Sequence, residues 1–175
     1  MAGFDPIRVK RALDDFGEAV INQARENLSQ RGNPAYGGDM NASYSLSDNM
    51  TFQSRAMKNS LSAYFDLTDY ALYQDQGVNG TEQNRGSRFS YGSRGPSQRM
   101  VSNIADWMED KGIDFEERTA KQKAWKIADN VIKRGLRKTL FFSDAYEMAF
   151  AELPEELVEA FGLDLDDFFN FILRE

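Results

Sequence analysis

Between residues 13 and 67 the spacing of apolar residues changes once, and that change limits the fold more than any other feature of the chain. Leu13, Phe16, Val20, Ala24 and Leu28 recur at helical spacing, and Ile21 widens the stripe. Asp5-Pro6 reads as the start of this helix, with Asp as N-cap and Pro at the first helical position. Gly32 followed by Asn33-Pro34 reads as its stop. Residues 34–41, rich in Gly and Asn, read as a loop. From Tyr44 to Leu67 the period falls to two. Met50 and Phe52 alternate with Asn49, Thr51 and Gln53, and Leu61, Ala63, Phe65 and Leu67 alternate with Ser62, Tyr64 and Asp66. This predicts two or three antiparallel strands around a turn at Arg55 to Asn59. A small sheet needs cover on one face, and the first helix is the obvious cover.

Beyond the strands, Tyr70-Ala71-Leu72-Tyr73 is short and aromatic and is expected to pack where the chain leaves the sheet. Gly77 opens a polar segment that runs to Pro96, and loops of that length in a compact domain are usually functional or disordered. Pro96-Ser97 starts a helix with Met100, Ile104, Trp107 and Met108 on one side, ended by Lys111-Gly112. A second runs from about Thr119 to Arg134, with Ala124, Ile127, Ala128 and Val131 inward and cations at its C-terminus. Leu136 to Phe142 is extended or turned. Ser143 caps a helix through Phe150, and Pro154-Glu155-Glu156 begins a last helix with Leu157, Val158, Phe161, Leu165, Phe168, Phe169 and Ile172. The expected class is α+β: a long N-terminal helix packed on a small antiparallel sheet, with additional C-terminal helices and a long inserted loop. The expected organisation is one α+β domain over 1–150, carrying the loop 77–96, and an acidic amphipathic C-terminal helix over 151–175.

Composition narrows the chemistry. The 175 residues include no Cys and no His, which removes disulfides, Cys-based zinc sites, Cys nucleophiles and His-based triads. The glycines from 77 to 95 lack the spacing of a phosphate-binding loop. Asp164, Asp166 and Asp167 lack the pattern of a calcium loop and read as an acidic helix face. No catalytic residue, metal site or cofactor is therefore expected, and the chain reads as a non-enzyme. The runner-up chemistry is a magnesium nuclease built on clustered carboxylates. No apolar run approaches the ~20 residues that span a bilayer, and none heads the chain as a signal peptide would. The net charge of −7 is uneven. Of 28 acids and 21 bases, ten acids and one base lie from Asp144 onward, leaving eighteen acids and twenty bases before it.

Three groups remain as candidates for contact. Arg85, Arg88, Arg94 and Arg99, interleaved with Phe89 and Tyr91, fit a protein interface, where Arg and Tyr are enriched anchors. The alternative is a nucleic-acid binding module that uses the same Arg/aromatic loop over 85–99. Lys121, Lys123, Lys126, Lys133, Arg134, Arg137 and Lys138 form the solvent face of a helix or match an acidic partner, such as the tail of a neighbouring copy. In the tail, Phe161, Phe168, Phe169, Phe171 and Ile172 oppose a row of acids, and they pack on their own domain or dock on a neighbour.

In order along the chain, Leu13-Asp14-Asp15-Phe16-Gly17, then Asp69-Tyr70-Ala71-Leu72-Tyr73-Gln74-Asp75-Gln76-Gly77, then Arg137-Lys138-Thr139-Leu140-Phe141-Phe142 form a set. The set resembles the neck, or tail-completion (head–tail connector), proteins of tailed bacteriophages, over roughly Ile7 to Phe150. The resemblance implies a structural virion protein at the head–tail junction, assembled in the host cytoplasm. Copies would form a homo-oligomeric ring, six or twelve being usual for the group. The ring would join portal, adaptor or tail-tube proteins and pass DNA without reading its sequence, with no membrane involved. It also implies that Tyr70, Ala71 and Gly77 sit at the end of the sheet, before a loop that reaches a partner.

Overall fold

The computed structural model describes residues 6–30, 45–57, 60–92, 95–110, 112 and 117–172, with side chains for all of these except 45, 117–119 and 168–172. The fold is α+β: a long N-terminal helix packed against a two-stranded antiparallel sheet, with helices after it. The chain forms two compact units. One joins Met1–Thr68 to Phe141–Glu175, and the other is Asp69–Leu140.

In the first unit, α1 (Ile7–Gln30) buries Val9, Leu13, Phe16, Val20, Ile21, Ala24 and Leu28, the stripe its spacing calls for. Each large apolar side chain so buried contributes about 1.5–3 kcal/mol. The first partner of α1 is α6 (Ser143–Ile172), a single helix of 30 residues. The expected break between Phe150 and Pro154 does not occur. Ala145, Leu153, Ala160 and Asp164 are all buried, so one inward row continues across Pro154. Pro154 itself is exposed, as is Phe150 four residues earlier, whose carbonyl loses its helical donor on the side that faces water.

Asp164 is not part of an exposed acidic face. It is 4% exposed, and its carboxylate accepts the backbone N–H groups of Arg8 (3.0 and 3.2 Å) and Val9 (3.1 Å). These are first-turn donors of α1 with no partner inside the helix. Arg8 Nη1 completes the arrangement, donating to Asp164 (3.2 Å) and to exposed Asp167 (2.6 Å). The Arg8 pKa is raised, by its hydrogen bond to Asp167 first and by Asp164 after it. Asp5, the cap expected from sequence, lies outside the described residues, as do Gly32 and the loop 34–41.

The second partner of α1 is the hairpin of β1 (Thr51–Met57) and β2 (Ser60–Asp66). There are two strands among the described residues. The stretch from residue 45, expected to be extended, instead begins with a helical turn, α2 (Ser45–Asp48), whose carbonyl at Ser47 accepts Arg25 Nε at 3.0 Å. The register sets Phe52 opposite Phe65, Ser54 opposite Ala63 and Ala56 opposite Leu61. Cover by α1 falls on the near half of this face. Phe65 meets Phe16 edge-on at 6.0 Å, and Ser54 Oγ donates to Asp14. Gly17 is what lets the strand come this close, since a Cβ there would land on the Phe52 ring. Farther out on this face Leu61 is exposed, and Met57 is exposed on the opposite face. Phe65 also meets Phe142 at 5.3 Å, and Tyr146 stacks on Phe150 at 5.5 Å and 12°, so aromatic rings link hairpin, α1 and α6.

The second unit holds α3 (Ala71–Gln76), α4 (Gln98–Asp110) and α5 (Glu117–Arg134), with α4 packed on α5. Tyr70-Ala71-Leu72-Tyr73 thus enters a short helix. Ser97 Oγ caps α4, accepting Met100 N at 3.2 Å. Ala124, Ala128 and Ile132 are the buried row of α5.

Two outcomes test the ties to α1. Replacing Asp164 with Ala should lower stability by about 2 kcal/mol, the upper range for a lost cap and its charge–dipole partner, read as a lower urea midpoint. Asp14 has a lowered pKa, first from the Lys10 hydrogen bond (2.6 Å) and then from Ser54. Its stabilisation is present above the ordinary carboxylate value of about 3.9 and fades as pH falls through its lowered value. Asp14→Asn should flatten that acid limb in thermal melts taken from pH 6 to pH 2.

Candidate functional site

The loop from Gly77 to Pro96 is the leading candidate, and it is built around one side chain. The Asn79 amide uses both of its ends. Its Oδ1 accepts Arg85 N (2.8 Å) and Ser87 N (3.1 Å), and its Nδ2 donates to the Ser87 carbonyl (2.6 Å) and Ser90 Oγ (3.1 Å). The Asn79 backbone adds a bridge to the far arm of the loop: its N–H donates to the Phe89 carbonyl (2.8 Å), and its carbonyl accepts Tyr91 N (3.0 Å). An amide that fills this many positions holds a turn as a backbone ladder would.

The loop also closes the end of α5. The N–H of Thr81 donates to the Ile132 carbonyl, and those of Glu82 and Gln83 to the Lys133 carbonyl, at 2.9–3.2 Å. Arg85 Nε donates to the Arg134 carbonyl at 2.7 Å. The last-turn carbonyls of a helix need outside donors, and the loop supplies them. Gly135 then turns the chain with φ of 70°, and Val78 and Leu136 exchange hydrogen bonds at 2.8 and 3.0 Å. Gly77 combines φ of 72° with an extended ψ, a conformation open to glycine, and a Cβ there would meet the Leu136 carbonyl at 2.7 Å.

The residues expected in this site therefore divide. Arg85 is half-buried and engaged on α5. Phe89 sits edge-on to Tyr73 at 4.8 Å, and the Arg88 guanidinium lies 4.7 Å from the Phe89 ring centre. Tyr91 is partly buried, and burial raises its pKa. Arg99 is exposed on α4 rather than in the loop, and Arg94 lies outside the described residues. Tyr70 caps α3 through its carbonyl, which accepts Gln74 N at 3.1 Å; Ala71 is buried, and Gly77 ends the helix. All three belong to α3 and its ends, in the unit that does not hold the hairpin. Asn79, Ser87 and Tyr73, which organise the loop, were missed. An Asn followed directly by Gly, at Asn79-Gly80, was the available signal.

Two helix faces present further chemistry. On α5, Lys121, Lys123, Lys126 and Arg134 are exposed, and so is Trp125, at 49%. Lys133 pairs with Asp129 at 2.8 Å, which raises its pKa. On α6, Phe150, Val158, Phe161 and Leu163 are exposed among acids. The side chains of Phe168, Phe169 and Ile172 lie outside the description. Among the described residues, no group of three or more carboxylates is placed to hold a metal ion, and no helix is long and apolar enough to cross a membrane.

Asn79→Ala should release the loop while sparing the helices. The expected cost is about 2–3 kcal/mol, since several hydrogen bonds go together. Hydrogen exchange should quicken most at Arg85, Ser87 and Tyr91. Comparison with known proteins finds no matching family model, no matching curated protein and no matching solved structure.

Proposed function

We propose that this chain is a structural, non-enzymatic protein of a tailed-bacteriophage neck. Copies form a closed ring at the head–tail junction that joins portal or adaptor to tail and lets DNA pass. The ordered resemblance over Ile7 to Phe150 names the class. The observation that carries an assembly role is the set of large apolar side chains left in water on regular elements. Met57, Leu61 and Tyr64 are exposed on the hairpin, and Met148, Phe150, Val158 and Leu163 on α6. Exposed apolar surface on rigid elements is the mark of a contact surface. The nucleic-acid alternative has less support, because Arg85 already has the Arg134 carbonyl and Arg88 lies against Phe89.

Electron microscopy and mass measurement of the purified protein test the reading, alone and with a portal ring. Closed rings of one stoichiometry with an open centre are the expected result. A protein that stays monomeric under both conditions overturns it.

A further inference from the structure

We propose that the acidic, Phe-bearing face of α6 docks on the basic, Trp-bearing face of α5 in a second copy of this chain. The pairing rests on the assembly reading above and names its contact. On α6, Phe150, Pro154 and Val158 recur every four residues and form one exposed stripe, with Val158 74% exposed. Glu155 and Glu159 form the next row outward, both exposed. The Phe150 ring is already fixed on its inner side, stacked on Tyr146 and edge-on to Phe16 at 6.5 Å. A partner that covers its outer side therefore has little side-chain freedom to remove.

On α5, Trp125 is half exposed, with exposed Lys121 one turn before it and exposed Lys126 on the adjoining row; Asp129, one turn after it, is paired with Lys133 at 2.8 Å. Tryptophan is among the commonest anchors at the centre of an interface. Flanking charges of one sign select a partner face of the other. The α6 face supplies an apolar stripe for the indole and a carboxylate row for the lysines.

Charge also selects which faces pair. Two copies of α6 face to face would set Glu155 and Glu159 against each other, and two copies of α5 would set lysine against lysine. The α5–α6 pairing alone matches sign. Each copy then gives one face and receives the other: where the two faces meet different neighbours the contact is heterologous and closes into a ring or runs on as a filament, and where they meet the same neighbour it is a two-fold dimer.

The test is a charge swap read by sedimentation velocity. One variant carries Lys121→Glu with Lys126→Glu, and the other carries Glu155→Lys with Glu159→Lys. All four positions are exposed, and circular dichroism checks that both variants fold. The native chain should associate with rising concentration, less so in high salt. Each variant alone should associate at least about tenfold more weakly. An equimolar mixture of the two should regain association, since each then meets a complementary face. Loss without regain overturns the pairing. So does a native chain that stays monomeric, or variants that associate as the native chain does. In that last case rings built through other surfaces leave the neck reading standing. If the swap behaves as expected but the products are open filaments, the docking stands and the ring reading falls.

Discussion

The carboxylate of Asp164 on the first turn of α1 is the contact on which the first unit depends. The two partners lie 156 residues apart. A helix of 24 residues thus has its start satisfied by a side chain from the far end of the chain. The buried carboxylate is itself fully engaged, by two backbone N–H groups and a guanidinium. This is the condition under which a charge can be buried at all. The contact also sets where α6 lies along α1. Residues 141–172 must be in place before α1 has both of its long neighbours, so the first unit is completed only by chain that follows the inserted segment 69–140. The entropy of closing so long a segment grows only slowly with its length. The segment is also folded in its own right, with its ends drawn together by Thr139 N and Leu140 N on the Asp75 carbonyl at 3.1 and 3.0 Å.

Pro154 shows how that long-range constraint overrides a local signal. Leu-Pro-Glu-Glu reads as a helix start, because Pro suits the first helical position and acids suit the first turn. The inward row of α6 passes through the position without a shift in phase, from Ala145 and Leu153 to Ala160 and Asp164. A break at Pro154 would turn the second half of that row away from α1 and remove Asp164 from its donors. The cost of the proline is one lost backbone bond on the exposed side, where water replaces the missing donor. Packing against α1 outweighs that cost.

The parts of the fold legible from sequence were those set by short-range periodicity. The stripe from Leu13 to Leu28, the hairpin of residues 51–66 and the inward Ala124 and Ala128 of α5 all follow from spacing, because one face of each element meets a continuous neighbour. Where cover is partial, spacing misleads. Leu61 shares a face with Phe65 through the pairing register, yet it is exposed because the contacts of α1 reach Phe52, Ser54 and Phe65. The candidate loop was legible in its limits but not in its construction. Its arginines stood out by type, whereas its organiser is an uncharged Asn whose role depends on Ser87, Phe89 and Tyr91, eight to twelve residues on. Asp164 was hidden for the same reason. Its neighbours Asp166 and Asp167 suggested a solvated acidic face, and its actual partners lie at the opposite end of the sequence.

The internal bonding of the loop leaves its described arginines already engaged. A loop that binds a partner through free arginines must order them on binding and bear that entropy. Here Arg85 is already bonded and Arg88 already lies on Phe89, because the end of α5 needs the donors that the loop brings. What the chain presents ready-made is the pair of charged, aromatic helix faces. Their side chains stand on backbones fixed by α1 in one unit and by α4 in the other. The uneven net charge follows the same division. The acids gathered after residue 144 lie mostly along the outer rows of α6, and the lysines of α5 are of the opposite sign on a different unit. Opposite charge on the two faces is the property on which the proposed contact between copies rests.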